Sequence, residues 1–244
     1  MTGPKYPPLN PAFSYFGAKW SLVRDRRYPA PLYPLIIEPF AGSACYSLHF
    51  HRHEVVLVDI NPTIIDIWGA VKSADETLYD LPDDFECVPP NLDPGLQALI
   101  GHWVAHGNST PRTKPTSWAR RHPDGLWWGP KVKTRLIAQA PHLRHWHACT
   151  ASYRSLPNVE ATWFIDPPYQ CQPNSYACPP VDYEDLADFV RSRRGQVIVC
   201  EGGHADWLPF VPIAPGRKKT SGKKGDIGLD ERLWYRVPSH PGFV

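Results

Sequence analysis

Short apolar runs that end in turn-forming residues recur along the chain and predict the strands of a buried sheet. Three of these runs lie at Leu35–Ser43, Val55–Asn61 and Ala161–Ile165. The first passes into a turn of small residues, after which a helical stretch is predicted from about Ala44 to Phe50. Strands that are buried on both faces have such unbroken apolar runs, so the pattern favours an α/β fold.

A helix and three more strands are predicted after the third run. Asp182 can cap the helix, Leu186, Phe189 and Val190 form an apolar stripe at helical spacing, and Gly195 is predicted to end it. The three strands are predicted at Gln196–Cys200, Trp207–Ile213 and Arg232–Val237.

The residues Asp166-Pro167-Pro168-Tyr169 directly follow the third apolar run. The exocyclic amine of a nucleobase shares its lone pair with the ring, so it is a poor nucleophile until hydrogen-bond acceptors draw it towards a tetrahedral shape. The Asp166 carboxylate and the Pro167 carbonyl are candidate acceptors, because the prolines fix φ and donate no backbone N–H. Tyr169 offers a face for stacking a base. The alternative is a plain Pro-Pro turn after a strand.

Two strand ends have features of a nucleotide-binding sheet. Gly42 lies in the small-residue turn after the first strand, where a nucleotide-like cofactor commonly sits. Asp59 ends the second strand, 21 positions beyond Glu38, which matches the spacing of an acidic residue that binds ribose hydroxyls. Many parallel sheets have a glycine turn and a strand-end acid without any ligand, so either signal taken singly leaves that alternative open.

Four motifs, taken together, resemble a known family. They are Phe13–Trp20, Glu38–Ser43, Val58–Asn61 and Asp166–Tyr169. In this order they resemble the Dam-like (D12-class) DNA adenine methyltransferases, which use S-adenosylmethionine. The resemblance covers about residues 11–72 and 160–236. It implies a Rossmann-like class I methyltransferase fold, with a mostly parallel sheet, an antiparallel C-terminal edge hairpin and an inserted target-recognition region.

The resemblance also implies roles for residues of this chain. The residues that would bind the methyl donor are Tyr15, Phe16, Gly17, Lys19, Glu38, Pro39, Phe40, Gly42, Asp59, Ile60 and Asp166. The catalytic motif maps onto Asp166, Pro167, Pro168 and Tyr169. It would act on an adenine that is flipped out of duplex DNA.

The chain departs from the family's pattern at two places. Ala18 stands where the first motif usually has its second glycine, and Gly42 is the one glycine of its turn, which continues with Ser43 and Ala44. Each added methyl group narrows the approach of the backbone to a ligand. We therefore expect weaker donor binding or a differently shaped loop.

Charge is unevenly spread, although the net charge is only +2. Seven acids and no Lys or Arg lie between Lys72 and Arg112, whereas residues 101–150 contain eight Lys or Arg, one acid and five tryptophans. Basic side chains meet phosphates and flat ones meet bases, so residues 73–149 are predicted to be the inserted target-recognition region. The catalytic domain would then comprise residues 1–72 and 150–244. The alternative is a small, independently packed subdomain with core tryptophans and solvated arginines.

The candidate DNA-binding residues lie in this insertion and in a second basic run at residues 217–225. They are Arg112, Arg120, Arg121, Lys218, Lys219, Lys223 and Lys224. For the second run, a solvated loop that contacts nothing is the alternative.

Composition fits one α/β core with an insertion, since the chain has 244 residues of which 42% are hydrophobic. The N-terminus has no apolar signal region and no apolar run approaches membrane-spanning length. These features predict a cytoplasmic protein, and the resemblance implies that it is bacterial, or phage-encoded and active in the host cytoplasm. The spacing of the histidines and cysteines fits no common metal site, so no metal is expected.

The sequence therefore predicts an enzyme that transfers a methyl group from S-adenosylmethionine to the amino group of adenine in DNA. Its biological role stays open between restriction-modification, protection and regulation. Methylation of the cytosine amino group is an alternative, although that class more often has Ser in place of Asp166. Methylation of RNA or of a protein amide is another. A DNA-binding protein that has lost catalysis is a third, against which the intact Asp166, Lys19 and Asp59 argue.

Overall fold

Seven strands form one mixed sheet in the part of the chain that the structure describes. This structure, a computed structural model, describes residues 6–104, 108–117, 127–171, 179–215 and 230–238. The strands are β1 (Leu35–Glu38), β2 (Glu54–Asp59), β3 (His147–Thr150), β4 (Ala161–Ile165), β5 (Gly195–Gly202), β6 (Val211–Ala214) and β7 (Glu231–Arg236). Their order across the sheet is β3-β2-β1-β4-β5-β7-β6.

The sheet is parallel from β3 to β5 and antiparallel at its other edge. β1 pairs in parallel with both β2 and β4, β2 pairs with β3, and β4 pairs with β5. β7 runs antiparallel to both β5 and β6. The predicted α/β fold with an antiparallel hairpin at the C-terminal edge is confirmed.

The direction in which strands are added reverses between β1 and β4. From β1 the chain moves outward through β2 to β3, and from β4 it moves outward through β5 on the opposite side. The loops on the two sides of such a reversal diverge and leave a crevice beyond the carboxyl ends of the strands, where α/β proteins bind ligands. Glu38 ends β1 and Asp166 follows β4, so two of the four motifs meet at this crevice.

Helices cover the sheet on both faces, and their core positions fall into two hydrophobic clusters. The α-helices of the described residues are α1 (Trp20–Arg24), α2 (Cys45–His49), α3 (Pro62–Lys72), α4 (Pro94–Trp103), α5 (Pro130–Gln139) and α6 (Tyr183–Ser192). Short 3₁₀ turns lie at Glu76–Asp80, Ala140–His142 and Tyr153–Ser155. No helix of the described residues combines the length and the apolarity needed to cross a membrane.

The predicted cap of α6 is confirmed, whereas its predicted end is wrong. The Asp182 side chain accepts a hydrogen bond from the Asp185 N–H at 3.1 Å. The helix ends at Ser192, and Gly195 is already the first residue of β5. Gly195 has φ +94°, and a Cβ there would lie 2.2 Å from the Ala161 carbonyl oxygen. Glycine is therefore needed for the close approach of β5 to β4 and not for stopping the helix.

The strand predicted at Trp207–Ile213 begins later than expected. β6 starts only at Val211. The Phe210 N–H is already bonded to the Leu208 carbonyl at 2.8 Å, and Pro209 has no N–H that could pair with a neighbouring strand. The indole N–H of Trp207 instead donates to Glu201 Oε2 at 2.8 Å. Residues 207–210 therefore form a turn that is held against the end of β5.

The described part of residues 73–149 packs into the same core as the rest of the chain. Trp103, Trp127, Trp128 and Trp146 are at most 8% exposed and belong to the cluster that also holds residues of β1 and β2. These four tryptophans are core residues, as the alternative interpretation of the insertion predicted, but they pack with the central sheet and not in an independent subdomain. Trp118 lies outside the described residues. β3 is the parallel edge strand, so the sheet resumes at His147, shortly before the predicted boundary.

Candidate active site

A pocket lies beyond the carboxyl ends of β1, β2 and β4, at the reversal of strand order. All eleven residues that were predicted to bind a methyl donor line it: Tyr15, Phe16, Gly17, Lys19, Glu38, Pro39, Phe40, Gly42, Asp59, Ile60 and Asp166. They come from four separate segments of the sequence. The structure therefore brings the first three motifs and the start of the fourth to one place.

Lys19 joins the first motif to the fourth. Its side chain is 4% exposed, and its Nζ lies 3.0 Å from Asp166 Oδ1. The same Nζ donates to the Gly17 carbonyl oxygen at 2.7 Å and sits 4.6 Å from the centre of the Tyr169 ring. Because Lys19 immediately precedes α1, the turn at Gly17 and the start of that helix together aim its ammonium at the fourth motif.

Asp166 combines a buried oxygen with partial access to solvent. Its Oδ1 is buried next to Lys19, while the side chain as a whole is 23% exposed. Burial raises the pKa of Asp166 to about 6, and the Lys19 ammonium opposes that rise, whereas the Glu231 carboxylate adds to it. Asp166 is therefore ionised at neutral pH, with one oxygen held by Lys19 and the rest of the group facing the pocket.

The turn after β1 is tied to the end of β2. The Gly42 N–H donates to Asp59 Oδ2 at 3.1 Å, and the Asn61 N–H donates to Asp59 Oδ1 at 2.9 Å. Burial raises the pKa of Asp59, and these backbone hydrogen bonds oppose the rise. Gly42 has φ +42°, and a Cβ there would lie 3.2 Å from the Tyr15 ring. Both the backbone conformation and the neighbouring Tyr15 ring therefore favour glycine at this position.

The two departures from the family's pattern lie at this pocket. Ala18 and Ala44 both line it. Ala44 has φ +45°, a left-handed conformation that costs a residue with a Cβ about 1–2 kcal/mol relative to glycine. The turn thus keeps the backbone shape that glycine favours, and α2 begins directly after it.

Glu38 is almost completely buried at the end of β1, with 2% exposure. Its Oε1 accepts hydrogen bonds from the Ser47 N–H at 2.9 Å and from the Ser47 hydroxyl. Burial raises the pKa of Glu38 to about 8, against the opposing effect of both Ser47 donors. Glu38 therefore keeps its proton at neutral pH and links β1 to α2.

A second wall of the pocket was not predicted. It consists of Ala151, Ser152, Tyr153, Arg154, Pro179, Pro180, Val181 and Asp182. The Tyr153 hydroxyl and the Arg154 Nε both donate to Asp185 Oδ2, at 2.5 and 2.8 Å, which fixes this wall to α6. Ala151 follows β3, and the carboxyl ends of parallel strands meet at one edge of a sheet, so its position could have indicated that this segment reaches the pocket. The segment was missed because β3 itself was not predicted from the sequence.

The fourth motif differs from an open stacking platform. Tyr169 is 7% exposed, its hydroxyl donates to Glu231 Oε1 at 2.6 Å, and one face of its ring is covered by Lys19. Pro168 lines the pocket, but its carbonyl already accepts from the Tyr183 hydroxyl at 2.7 Å. Pro167 is buried. In this arrangement a base cannot stack on Tyr169, because the ring is packed inside the protein.

Most of the predicted DNA-binding residues lie outside the described residues. These are Arg120, Arg121, Lys218, Lys219, Lys223 and Lys224. Arg112 is described and exposed, and its backbone N–H donates to the Gly101 carbonyl at 3.2 Å.

The strand order and the pocket at its reversal define the class of protein: a Rossmann-like class I methyltransferase fold. The family model of D12 class N6 adenine-specific DNA methyltransferases matches residues 15–87. That stretch includes Lys19, Gly42 and Asp59, so the match confirms the resemblance that the motifs indicated. Together with the fold it indicates a methyltransferase. No curated protein matches the chain.

Several solved structures are similar to the chain over most of its length. A conserved hypothetical protein from Streptococcus pyogenes is 10% identical, with a TM-score of 0.37, and the match covers 88% of this chain and 93% of that one. The putative methyltransferase YhhF from Escherichia coli is 11% identical, with a TM-score of 0.35 and coverages of 90% and 84%. The rRNA methyltransferase AviRa from Streptomyces viridochromogenes is 13% identical, with a TM-score of 0.39 and coverages of 96% and 88%.

Proposed function

We propose that this methyltransferase transfers a methyl group from S-adenosylmethionine to the exocyclic amino group of adenine in DNA. The observation that carries the proposal is the contact between Lys19 and Asp166 at the end of β4, inside a pocket formed by all four motifs. The family match supports adenine and DNA as the target. A cytoplasmic site of action agrees with this substrate.

The residues present fit the proposed donor. Three carboxyl groups, Glu38, Asp59 and Asp166, line the pocket together with Lys19, whose charge is already neutralised by Asp166. Because Glu38 keeps its proton and Lys19 neutralises Asp166, the lining fits the ligand through hydrogen-bonding groups for its ribose hydroxyls and not through excess negative charge. Asp59 would bind the ribose and Glu38 would face the amino acid part. When bound, S-adenosylmethionine supplies a methyl group on a positively charged sulfur.

Asp166 would polarise the target amine. An N–H of the adenine amino group donates to the Asp166 carboxylate, and the Pro167 carbonyl is the second proposed acceptor, since the Pro168 carbonyl is occupied by Tyr183. The amine nitrogen would bond to the methyl carbon that the donor supplies, and the carbon–sulfur bond would break with its electron pair left on sulfur. The amine must lose one proton, for which Asp166, with a pKa of about 6, is a suitable acceptor. Positioning and polarisation are sufficient, and no covalent enzyme intermediate is needed.

The partner in this proposal is duplex DNA with a flipped adenine. The residues proposed to meet its backbone are Arg112, Arg120, Arg121, Lys218, Lys219, Lys223 and Lys224. Tyr169 was predicted to stack on the flipped base, but its ring would first have to leave its buried position. We therefore assign base stacking to no residue.

Transfer of a radiolabelled methyl group tests the proposal. The protein is incubated with labelled S-adenosylmethionine and either duplex DNA or RNA, and the labelled nucleoside is identified by chromatography. We expect N6-methyladenine in DNA from the wild type and from Glu54→Gln, an exposed carboxylate at the opposite end of the sheet. From Asp166→Asn we expect it at least about a hundredfold more slowly. Label in N4-methylcytosine, in RNA only, or in no nucleic acid would overturn the assignment.

A further inference from the structure

Glu231 connects two tyrosines from distant parts of the sequence at the first residue of β7. Its Oε1 accepts hydrogen bonds from both the Tyr28 hydroxyl and the Tyr169 hydroxyl, the latter at 2.6 Å. Burial is the main cause that raises the pKa of both phenols, so each keeps its proton and acts as a donor. The nearby thiol of Cys200 on β5 is buried and also kept protonated. No motif of the sequence pointed to Glu231.

The contacts continue from Glu231 to the proposed reaction centre. The hydrogen bond to Glu231 fixes the tip of the Tyr169 ring, and the Lys19 ammonium lies 4.6 Å from the centre of that ring. A cation over an aromatic face is attracted by the ring's electron density. The same ammonium lies 3.0 Å from Asp166 Oδ1. Each contact therefore limits the position of the next one, from β7 to the carboxylate that follows β4.

A purely space-filling role does not account for the arrangement. An apolar side chain in place of Glu231 would remove the carboxylate acceptor that two buried hydroxyls share, and buried polar groups are seldom left unpaired. A carboxylate also places negative charge close to Asp166, which works against the ionised form that the reaction needs. An acid at position 231 therefore makes Asp166 harder to ionise, and a role in positioning the active-site groups would explain why an acid is nevertheless present.

We propose that Glu231 is a positioning residue for methyl transfer: it holds the Tyr169 ring beneath Lys19 and so fixes the ammonium against Asp166. The inference rests on the proposed function, because Asp166 is taken as the group that polarises the amine. It assigns Tyr169 the task of supporting Lys19, which agrees with the burial of its ring.

Five variants separate positioning from general stability. Glu231→Ala removes the acceptor, Glu231→Gln retains a side-chain oxygen that can accept, and Tyr169→Phe removes the hydroxyl without changing the ring. Tyr28→Phe removes the other donor and leaves the bond to Tyr169. The control is Tyr235→Phe, which removes a hydroxyl on the same strand β7 that accepts a hydrogen bond from Gln196 Nε2 at 3.2 Å and that belongs to a different hydrogen-bond group from Glu231. Thermal unfolding of every variant checks that it folds.

We expect Glu231→Ala and Tyr169→Phe to lower kcat by roughly tenfold or more, since small displacements of reacting groups have effects of this size. KM for DNA should change much less. The double variant should be little worse than either single variant, because both break the same link. Glu231→Gln should recover most of kcat, and Tyr28→Phe and Tyr235→Phe should stay close to wild type. In Tyr169→Phe the acid limb of the pH profile should move to higher pH, because a loosened Lys19 stabilises the Asp166 carboxylate less.

Titration of Asp166 by carbon NMR in the free protein gives a second readout that needs no activity. Tyr169→Phe should raise the pKa of Asp166, while Tyr235→Phe should leave it where it is. An unchanged kcat and an unchanged Asp166 titration in Tyr169→Phe would overturn the inference. A wild-type protein that transfers no methyl group to DNA would instead refute the proposed function, and the NMR titration would still decide whether Tyr169 positions Lys19.

Discussion

The pair formed by Lys19 and Asp166 concentrates the chemistry of the site in two side chains. Burial raises the pKa of Asp166 to about 6, and the adjacent ammonium limits that rise. An aspartate with such a pKa is ionised at neutral pH and yet is a better proton acceptor than an exposed one. The sequence identified both residues, because each stands in a motif with a recognisable neighbourhood. Their direct contact could not be predicted, since it depends on how α1 and β4 approach each other.

Methyl transfer should depend on pH through Asp166. The carboxylate form is the acceptor, so kcat should fall as the pH decreases through about 6. Lys19→Met removes the positive charge that favours ionisation of Asp166. In this variant kcat should begin to fall at a higher pH than in the wild type, and its maximum value should be lower. Rates of methyl transfer between pH 5 and 9 measure both. An acid limb that does not move in Lys19→Met would contradict the assigned interaction.

Glu38 should make the protein less stable as the pH rises. Its pKa is raised from 4.5 to about 8 in the folded protein, so the unfolded chain binds fewer protons than the native one between these values. The free energy of unfolding should therefore decrease across this range, by up to about 1.4 kcal/mol per pH unit. Glu38→Gln, which keeps an acceptor for Ser47, should remove that slope. Urea unfolding at several pH values measures it, and identical slopes in both proteins would show that Glu38 is not protonated.

At the scale of elements, the sequence predicted the central strands and the turn after β1, because their apolar runs and small residues are local signals. It did not predict β3, whose sequence His-Ala-Cys-Thr has no apolar run and lies at the sheet edge with mostly exposed side chains. Consequently residues 151–154, the part of the second wall that follows β3, were missed as well. The start of β6 was predicted too early, because local pattern does not reveal that Trp207 bonds to Glu201.

The turn between β1 and α2 allows a matched pair of substitutions. Gly42→Ala adds a Cβ at φ +42°, 3.2 Å from the Tyr15 ring, and should lower the stability by about 1 kcal/mol or more and weaken donor binding. Ala44→Gly, two residues later at φ +45°, relieves strain at the expense of chain entropy. It should change the stability by less than about 1 kcal/mol and leave donor affinity equal or tighter. Calorimetry with S-adenosylmethionine and thermal unfolding test both, and an equal loss in the two variants would contradict this account of the turn.

At the scale of the whole molecule, the tryptophans and the basic residues of segment 73–149 have different roles, whereas both were predicted from the sequence to recognise DNA. Its described tryptophans stabilise the core, since side chains such as Trp128 and Trp146 are almost fully buried. Composition alone does not show whether the tryptophans of an aromatic and basic segment pack in the core or face a nucleic acid, because aromatic rings serve in both places. The basic residues remain the proposed contacts to DNA, through charge and not through stacking.

DNA binding should accordingly depend on salt. Each phosphate that the protein neutralises releases counterions and contributes roughly 0.9 to the slope of log affinity against log salt concentration. Replacing Lys218, Lys219, Lys223 and Lys224 by Ala should flatten this slope and weaken binding to all sequences alike. Changes at Arg112, Arg120 or Arg121 should instead alter which site is methylated, if these side chains reach base edges. Fluorescence anisotropy at several salt concentrations measures the slope, and binding that is independent of salt would contradict the expectation.

The central claim is that Asp166 acts on the target amine inside a pocket that holds the methyl donor. Single-turnover transfer from labelled S-adenosylmethionine to duplex DNA, measured for the wild type and for Asp166→Asn at equal donor occupancy, tests it most directly. We predict N6-methyladenine from the wild type and a loss of at least about a hundredfold in rate for Asp166→Asn, with the fold and most of the DNA affinity retained. Transfer by Asp166→Asn at close to the wild-type rate would contradict the account.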